Sequence, residues 1–459
     1  MATLTGPVTG GAKGWPFGAA AFDLKALGYV EEEYFLEGEA ERYRHAPGTR
    51  RSFDGRWFVE PAGRAPYRTR ILIRRPVDPS RFNGTVVALW NNVSLGFDIF
   101  AGESPQIYRG GFAIALVSAQ RAGVHGFLAT PERALTGWDS VRYGSLHIDN
   151  DEYSFDIFTQ AARLLGPKRP KAGVDPLDGL DVRKIIAAGA SQSAVRLVTY
   201  LNAVQPITHA FDGFFIHVYF GNGTQLEEPR LNEPLIKRVE DIMPLALRMP
   251  PGSHLLRNDL GVPVLVMNSE TESTLHYPVR QPDSDTYRFW EVAGVAHGCA
   301  AGSPWLKTSW PRDLGLERHP MAPPTDARGA NTNVLTHEPV NSAALMQLHR
   351  WVHGGAPPPA LPRLLFAGDP PRLQRDALGL AKGGIRLPAI EAPRARHTGV
   401  DEDGLLQMFG TSTPFSDEML ARLYPEPDSY GTQLRRAIEQ GVEAGFLLPV
   451  DAEAMILAS

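Results

Sequence analysis

Apolar residues fall along this chain in two rhythms. Continuous runs at Thr85-Val-Val-Ala-Leu-Trp90, Gly111-Phe-Ala-Ile-Ala-Leu-Val-Ser118, Ile185-Ile-Ala-Ala188, Phe211 to Tyr219, Val262-Pro-Val-Leu-Val-Met-Asn268 and Tyr287-Arg-Phe-Trp-Glu-Val292 predict strands buried on both faces. Phe155 to Leu165, Ala194 to Leu201 and Ser342 to Val352 instead repeat their apolar positions at helical spacing. Strands and helices alternating at crossover-length intervals predict an α/β architecture, a mostly parallel central sheet flanked by helices. Two earlier stretches, Tyr29 to Leu36 and Tyr67 to Arg74, read as strands of mixed alternation, the second ended by Pro76 and the Asp78-Pro79-Ser80 cluster. The Gly-rich start, to about Pro16, reads as loosely held.

Two segments stand apart from this alternation. Residues 221–260 lie between two sheet strands and carry an amphipathic helix around Leu235 to Leu247. An insertion there hangs over the C-terminal edge of the sheet, where open α/β folds bind ligands, and so predicts a lid. After the Pro-rich Gly354-Gly-Ala-Pro-Pro-Pro359, read as a linker, a C-terminal extension (356–459) mixes loops with helices, and its pattern discloses no role.

Composition narrows the partners. With 459 residues, 43% of them hydrophobic, the chain can bury a large core. A net charge of -5 offers no basic field, which argues against nucleic acid and anionic membrane as partners. The single cysteine, Cys299, forms no disulfide within the chain, and neither a signal peptide nor an apolar run of membrane-spanning length is seen, so a cytoplasmic setting is expected. Sequons at Asn83, Asn92 and Asn222 are chance matches in that setting. A homodimer is the default assembly.

The chemistry centres on Gly189-Ala-Ser-Gln-Ser193, which joins a buried strand to a helix. A strand, an abrupt turn of small residues and then a helix form the context of a nucleophile elbow, which lifts a serine hydroxyl clear of the sheet beside a helix N-terminus. Gly189 meets the need for a small residue two before Ser191, and Ser193 replaces the glycine usual two after it. The alternative is an ordinary turn with a serine N-cap. A nucleophilic serine needs a base, and the base an orienting acid. Both follow in order on loops after later strands: Glu272 in Ser269-Glu-Thr-Glu-Ser273, and His297 between Gly294 and Gly298. Glu270 is the rival acid and could brace the loop instead. His217, inside a strand, reads as a core or pocket-wall residue. The oxyanion donors are assigned to the backbone amides of Gln192 and Asn92, with Val93 next to it as the other candidate for the second. No H-E-x-x-H, CxxC pair or phosphate-cradling glycine loop occurs, so neither a metal nor a cofactor is expected.

Beyond the elbow, Gly28-Tyr-Val-Glu-Glu-Glu-Tyr-Phe-Leu36, Tyr67-Arg-Thr-Arg-Ile-Leu-Ile-Arg-Arg-Pro76, Phe82-Asn-Gly-Thr-Val86, Ser118-Ala-Gln-Arg-Ala-Gly123, Ser269-Glu-Thr-Glu272, Trp290-Glu-Val-Ala-Gly-Val-Ala-His297 and Gly383-Gly-Ile-Arg-Leu-Pro388 resemble motifs of a bacterial and fungal α/β-hydrolase domain family, over nearly the full length. The resemblance implies an α/β-hydrolase fold as one domain (1–459), a Ser191–Glu272–His297 triad, and a C-terminal segment packed on the sheet. The chain departs from the family in carrying Glu at 272, where Asp is frequent, and Asn91-Asn92 in place of a more apolar approach. The expected activity is hydrolysis of a carboxylic ester or lactone. Trp90, Val93, Phe97, Tyr219, Phe220 and, on the lid, Met243, Leu245, Leu247 and Met249 would line an apolar pocket for a fairly bulky substrate. The competing readings are a non-catalytic small-molecule receptor on the same fold, and an acyltransferase or lyase using the same trio.

Overall fold

The computed structural model describes residues 2–100, 103–227, 252–298, 307–317, 331–400 and 408–457. Nine strands form its central sheet: β1 (Thr3–Thr5), β2 (Tyr29–His45), β3 (Val59–Pro76), β4 (Thr85–Trp90), β5 (Ala113–Val117), β6 (Lys184–Ala190), β7 (Gly213–His217), β8 (Val264–Ser269) and β9 (Tyr287–Val292). Their order across the sheet is β1-β2-β3-β5-β4-β6-β7-β8-β9. The six strands from β5 to β9 run parallel, while β1, β2 and β3 attach as an antiparallel wing.

Period-two packing explains the continuous apolar runs. Val86, Ala88 and Trp90 of β4, Ile185 and Ala187 of β6, and Phe214 and Ile216 of β7 face one layer of the core. Val87, Ile186, Ala188 and Phe215 face the other. The first layer is closed by α1 (Ser154–Leu165), whose Phe155 and Phe158 rings pack on Trp90 at 5.8 and 4.6 Å. The second is closed by α4 (Glu338–Val352), through Val340, Ala344, Leu345 and Leu348. Among the short helices between them in sequence, α2 (Gln192–Thr199) follows β6 and α3 (Glu270–His276) follows β8. The parallel strands β4, β6, β7, β8 and β9 therefore all deliver their exits to one edge, the place where open α/β sheets hold ligands.

Three sequence expectations change. The early strands run far past Leu36 and begin well before Tyr67: β2 and β3 make a ribbon of 17 and 18 residues. Its outer half is polar and held by backbone pairing and cross-strand ion pairs, Glu41 with Arg64, Glu60 with Arg44 and Glu37 with Arg68, so no apolar pattern marks it. The N-terminus is tied down by β1 and by the Arg142 guanidinium, which donates to the carbonyls of Val8 and Gly10. The Pro-rich stretch is no free linker. Pro358 and Pro359 accept from Arg288 Nε and Trp290 Nε1 at 2.7 and 3.0 Å, and Ile385 exchanges backbone bonds with Glu291 and Ala293 at the end of β9. The lid helix, Met243 and Cys299 lie outside the described residues. The stems of that insertion are anchored: Ser253 N–H donates to Gly221 at 2.8 Å, and the His254 ring meets Trp57 edge-on. Among the described residues no helix is long and apolar enough to cross a membrane.

Arg70 of β3 joins the wing to the loop after β4. Fully buried, it pairs with Glu33 at 3.2 Å and Asp98 at 3.0 Å and donates to the Phe17 carbonyl at 2.7 Å. Replacing it with Met strands the buried Asp98 carboxylate, and removing one partner of a buried pair costs about 3–5 kcal/mol. Arg70→Met is expected to lower the urea midpoint by that equivalent; a midpoint equal to wild type would show the pair to be dispensable.

Candidate active site

At the exit of β6 the chain turns so tightly that Ser191 adopts φ 60° and ψ -121°, a conformation costing a non-glycine residue about 1–3 kcal/mol. A Cβ on Gly189 would meet Leu197 at 2.9 Å and the Ser193 carbonyl group at 3.1 Å, so a side chain there would push Leu197 and the first turn of α2 outward. Ser193 does more than stay small. Its hydroxyl donates to the Ala190 carbonyl at 2.8 Å and accepts the Ala190 N–H at 2.9 Å, stapling the first turn of α2 to the strand it leaves. Ser191 N–H donates to the His217 carbonyl at 3.0 Å, which leaves the side chain projecting past the sheet edge.

The β8 exit supplies the acid through a helix cap. Ser269 and Glu272 form a capping box at the start of α3. One oxygen of Glu272 accepts from Ser269 N–H at 2.8 Å and from its hydroxyl at 2.6 Å. The other meets His297 Nδ1 at 2.5 Å, and His297 Nε2 lies 2.8 Å from Ser191 Oγ. A carboxylate only accepts, so the Nδ1 proton points to Glu272 and Nε2 is free to accept the serine proton. Burial pushes the Glu272 carboxyl up, but the charge of His297 and the bonds from His297 and Ser269 outweigh it and hold the group below its usual value. Glu270 faces elsewhere: it accepts from Gly294 N–H at 2.6 Å and Gly399 N–H at 2.9 Å and pairs with Arg375 at 3.2 Å, bracing the histidine loop against the C-terminal extension. His297 is further fixed by its N–H to Thr271 Oγ1 at 3.0 Å, and the Phe220 ring stacks on its imidazole at 5.3 Å.

A family model described as an alpha/beta hydrolase domain matches residues 4–457. The chain belongs to that family. None of the curated proteins matches this alpha/beta hydrolase. Among solved structures it is similar to the esterase Est22, with 15% identity and a TM-score of 0.30 over 53% of this chain and 64% of that one. It is also similar to a prolyl endopeptidase, with 12% identity and a TM-score of 0.29 over 58% and 35%, and to a putative acetyl xylan esterase from Bacteroides fragilis, with 12% identity and a TM-score of 0.27 over 57% and 66%. The chain spans less than two thirds of each of these relatives.

In this alpha/beta hydrolase the two amides considered at the exit of β4, those of Asn92 and Val93, are placed differently. Asn92 N–H donates to the Ile99 carbonyl at 3.1 Å and is committed there, because residues 92 and 99 pair across a tight loop. What Asn92 contributes is its side chain, whose Nδ2 donates to the Ala190 carbonyl at 3.0 Å and ties the loop to the elbow. The neighbouring Val93 N–H faces the elbow, with Gln192 Oε1 at 3.4 Å, while Gln192 N–H has no acceptor among the described residues. Two residues expected at the pocket are buried and packed against other side chains. Trp90 points to the α1 side of the sheet by strand alternation, and Tyr219 packs on His276, its N–H on Asn268 Oδ1 at 2.8 Å. His217 is buried beneath the site, its ring edge-on to His337 at 4.3 Å; burial, then the charges of His337 and His297, hold it well below its usual value.

A carboxyl depressed in the native state contributes stability above the ordinary carboxylate range and loses it as pH falls through the native value. Glu272→Gln lacks that contribution. The difference in urea midpoint between wild type and this variant is expected to be widest near pH 7 and to narrow progressively below pH 5; a difference independent of pH would contradict an ionised Glu272.

Proposed function

We propose that the protein is a serine hydrolase acting on a carboxylic ester or lactone. The observation that carries this reading is the continuous chain of two hydrogen bonds, Ser191 Oγ to His297 Nε2 and His297 Nδ1 to Glu272, standing on a strained elbow at the ligand-binding edge of the sheet.

In this mechanism Ser191 Oγ attacks the carbonyl carbon while His297 Nε2 takes its proton. Glu272 holds the tautomer and stabilises the imidazolium. The oxyanion accepts from the amides of Gln192 and Val93 at the positive end of α2. Collapse of the tetrahedral intermediate expels the alcohol, which takes the proton from His297. Water, deprotonated by the same imidazole, then releases the acid and restores Ser191. In a lactone the alcohol stays attached, and one hydroxy acid leaves. Phe220 behind His297 and the apolar Val93 beside the elbow favour an apolar substrate flank.

A fluorophosphonate probe should label wild type and leave Ser191→Ala unlabelled. On an ester and lactone panel, Ser191→Ala should lose all measurable turnover, and Glu272→Gln should lose about 10⁴-fold in kcat with its fold retained. Absence of labelling in wild type would favour a receptor on this fold; labelling without hydrolysis of any panel member would favour acyl transfer or lysis.

A further inference from the structure

A directed relay of side-chain amides ends on the oxyanion site. Trp90 Nε1, which can only donate, donates to Gln120 Oε1 at 3.0 Å. Gln120 Nε2 donates to Asp151 Oδ2 at 3.1 Å, and a carboxylate can only accept. Both ends of the Gln120 amide are therefore fixed by partners that cannot exchange roles. Gln120 Oε1 also receives Gln192 Nε2 at 3.0 Å, so the Gln192 amide is fixed in turn, with its oxygen forced toward Val93 N–H at 3.4 Å. Trp90, Gln120 and Asp151 are all buried, so water does not compete for the bonds among these three, whereas Gln192 is half-buried.

The loop bearing Val93 does not need Gln192 to hold it. Asn92 and Ile99 exchange two backbone bonds at 3.1 and 2.8 Å, Gly96 N–H donates to the Val93 carbonyl at 3.0 Å, and Asn92 Nδ2 anchors the loop to Ala190. The Gln192 oxygen thus stands on a donor that is already in place.

We infer that the Gln192 carboxamide is a stopper on the oxyanion site: its oxygen occupies the Val93 amide in the free protein and must be displaced by the substrate's carbonyl oxygen. This rests on the serine-hydrolase reading above. An ester oxygen is a weaker acceptor than an amide oxygen and displaces the stopper poorly, whereas the charged oxygen of the tetrahedral intermediate displaces it readily. The displacement costs the same whichever oxygen replaces the carboxamide, so the stopper lowers occupancy of the site by every ligand and only a strong acceptor overcomes it. Gln192 has a second role here beyond its backbone amide, as a residue that sets which electrophiles gain access.

The test uses Gln192→Met, of similar length without an acceptor, and Gln192→Asn, whose amide is too short to span from Gln120 to Val93. The probes are a simple alkylboronic acid, whose adduct with Ser191 places an oxygen on the Val93 amide, and an ester that wild type hydrolyses. Both variants are expected to bind the boronate about 3- to 10-fold more tightly and to raise kcat/KM by a similar factor, the worth of one neutral hydrogen bond. Weaker boronate binding with lower kcat/KM would overturn the stopper and make Gln192 an ordering residue; unchanged values would overturn it as well. Wild type that neither binds boronate nor hydrolyses any ester sinks the serine-hydrolase reading itself, a result distinct from either.

Discussion

The site depends on one strained residue. Ser191 is held at a positive φ that its own side chain disfavours, and the surroundings impose it: glycine at 189 lets α2 press against β6, and the Ser193 hydroxyl closes both polar groups of the Ala190 peptide. Relaxing the turn would return the Ser191 hydroxyl to the plane of the sheet and pull the α2 N-terminus away from the edge. The close approach of strand and helix therefore fixes where the hydroxyl points.

Around that turn, each loop is held by groups with no freedom to exchange roles. Glu272 divides its two oxygens, one completing the cap of its own helix and the other orienting the imidazole, so the acid cannot rotate without uncapping α3. Glu270, two residues earlier, spends its carboxylate on the backbones of Gly294 and Gly399. Two acids so close in the chain serve different ends because the first turn of a helix points them to opposite sides.

Much of this was legible in the sequence wherever one periodicity acted alone. The bounds of Thr85–Trp90 and Tyr287–Val292 agree with the observed strands because both faces of each are apolar and turns bracket them. The outer ribbon of β2 and β3 was not legible, since its stability resides in a backbone ladder and ion pairs between distant residues. Which amide faces the elbow was also hidden: the pairing of Asn92 with Ile99 follows from loop closure and has no compositional mark. The face that Trp90 takes was hidden too, because a strand buried on both faces gives no indication of which face a given position takes. The Ser269-x-x-Glu272 spacing, in contrast, carries a capping-box signature that by itself places the acid at a helix start.

The contact between Glu270 and Gly399 has a consequence for synthesis. Gly399 N–H, Arg375 and the Thr271–Gly399 bond all reach the acid and histidine loops from far down the chain. A nascent polypeptide emerging from the ribosome exposes Ser191 roughly two hundred residues before the struts that steady the Glu272 and His297 loops exist. The acid and histidine loops therefore lack these supports until the chain has been made past Gly399.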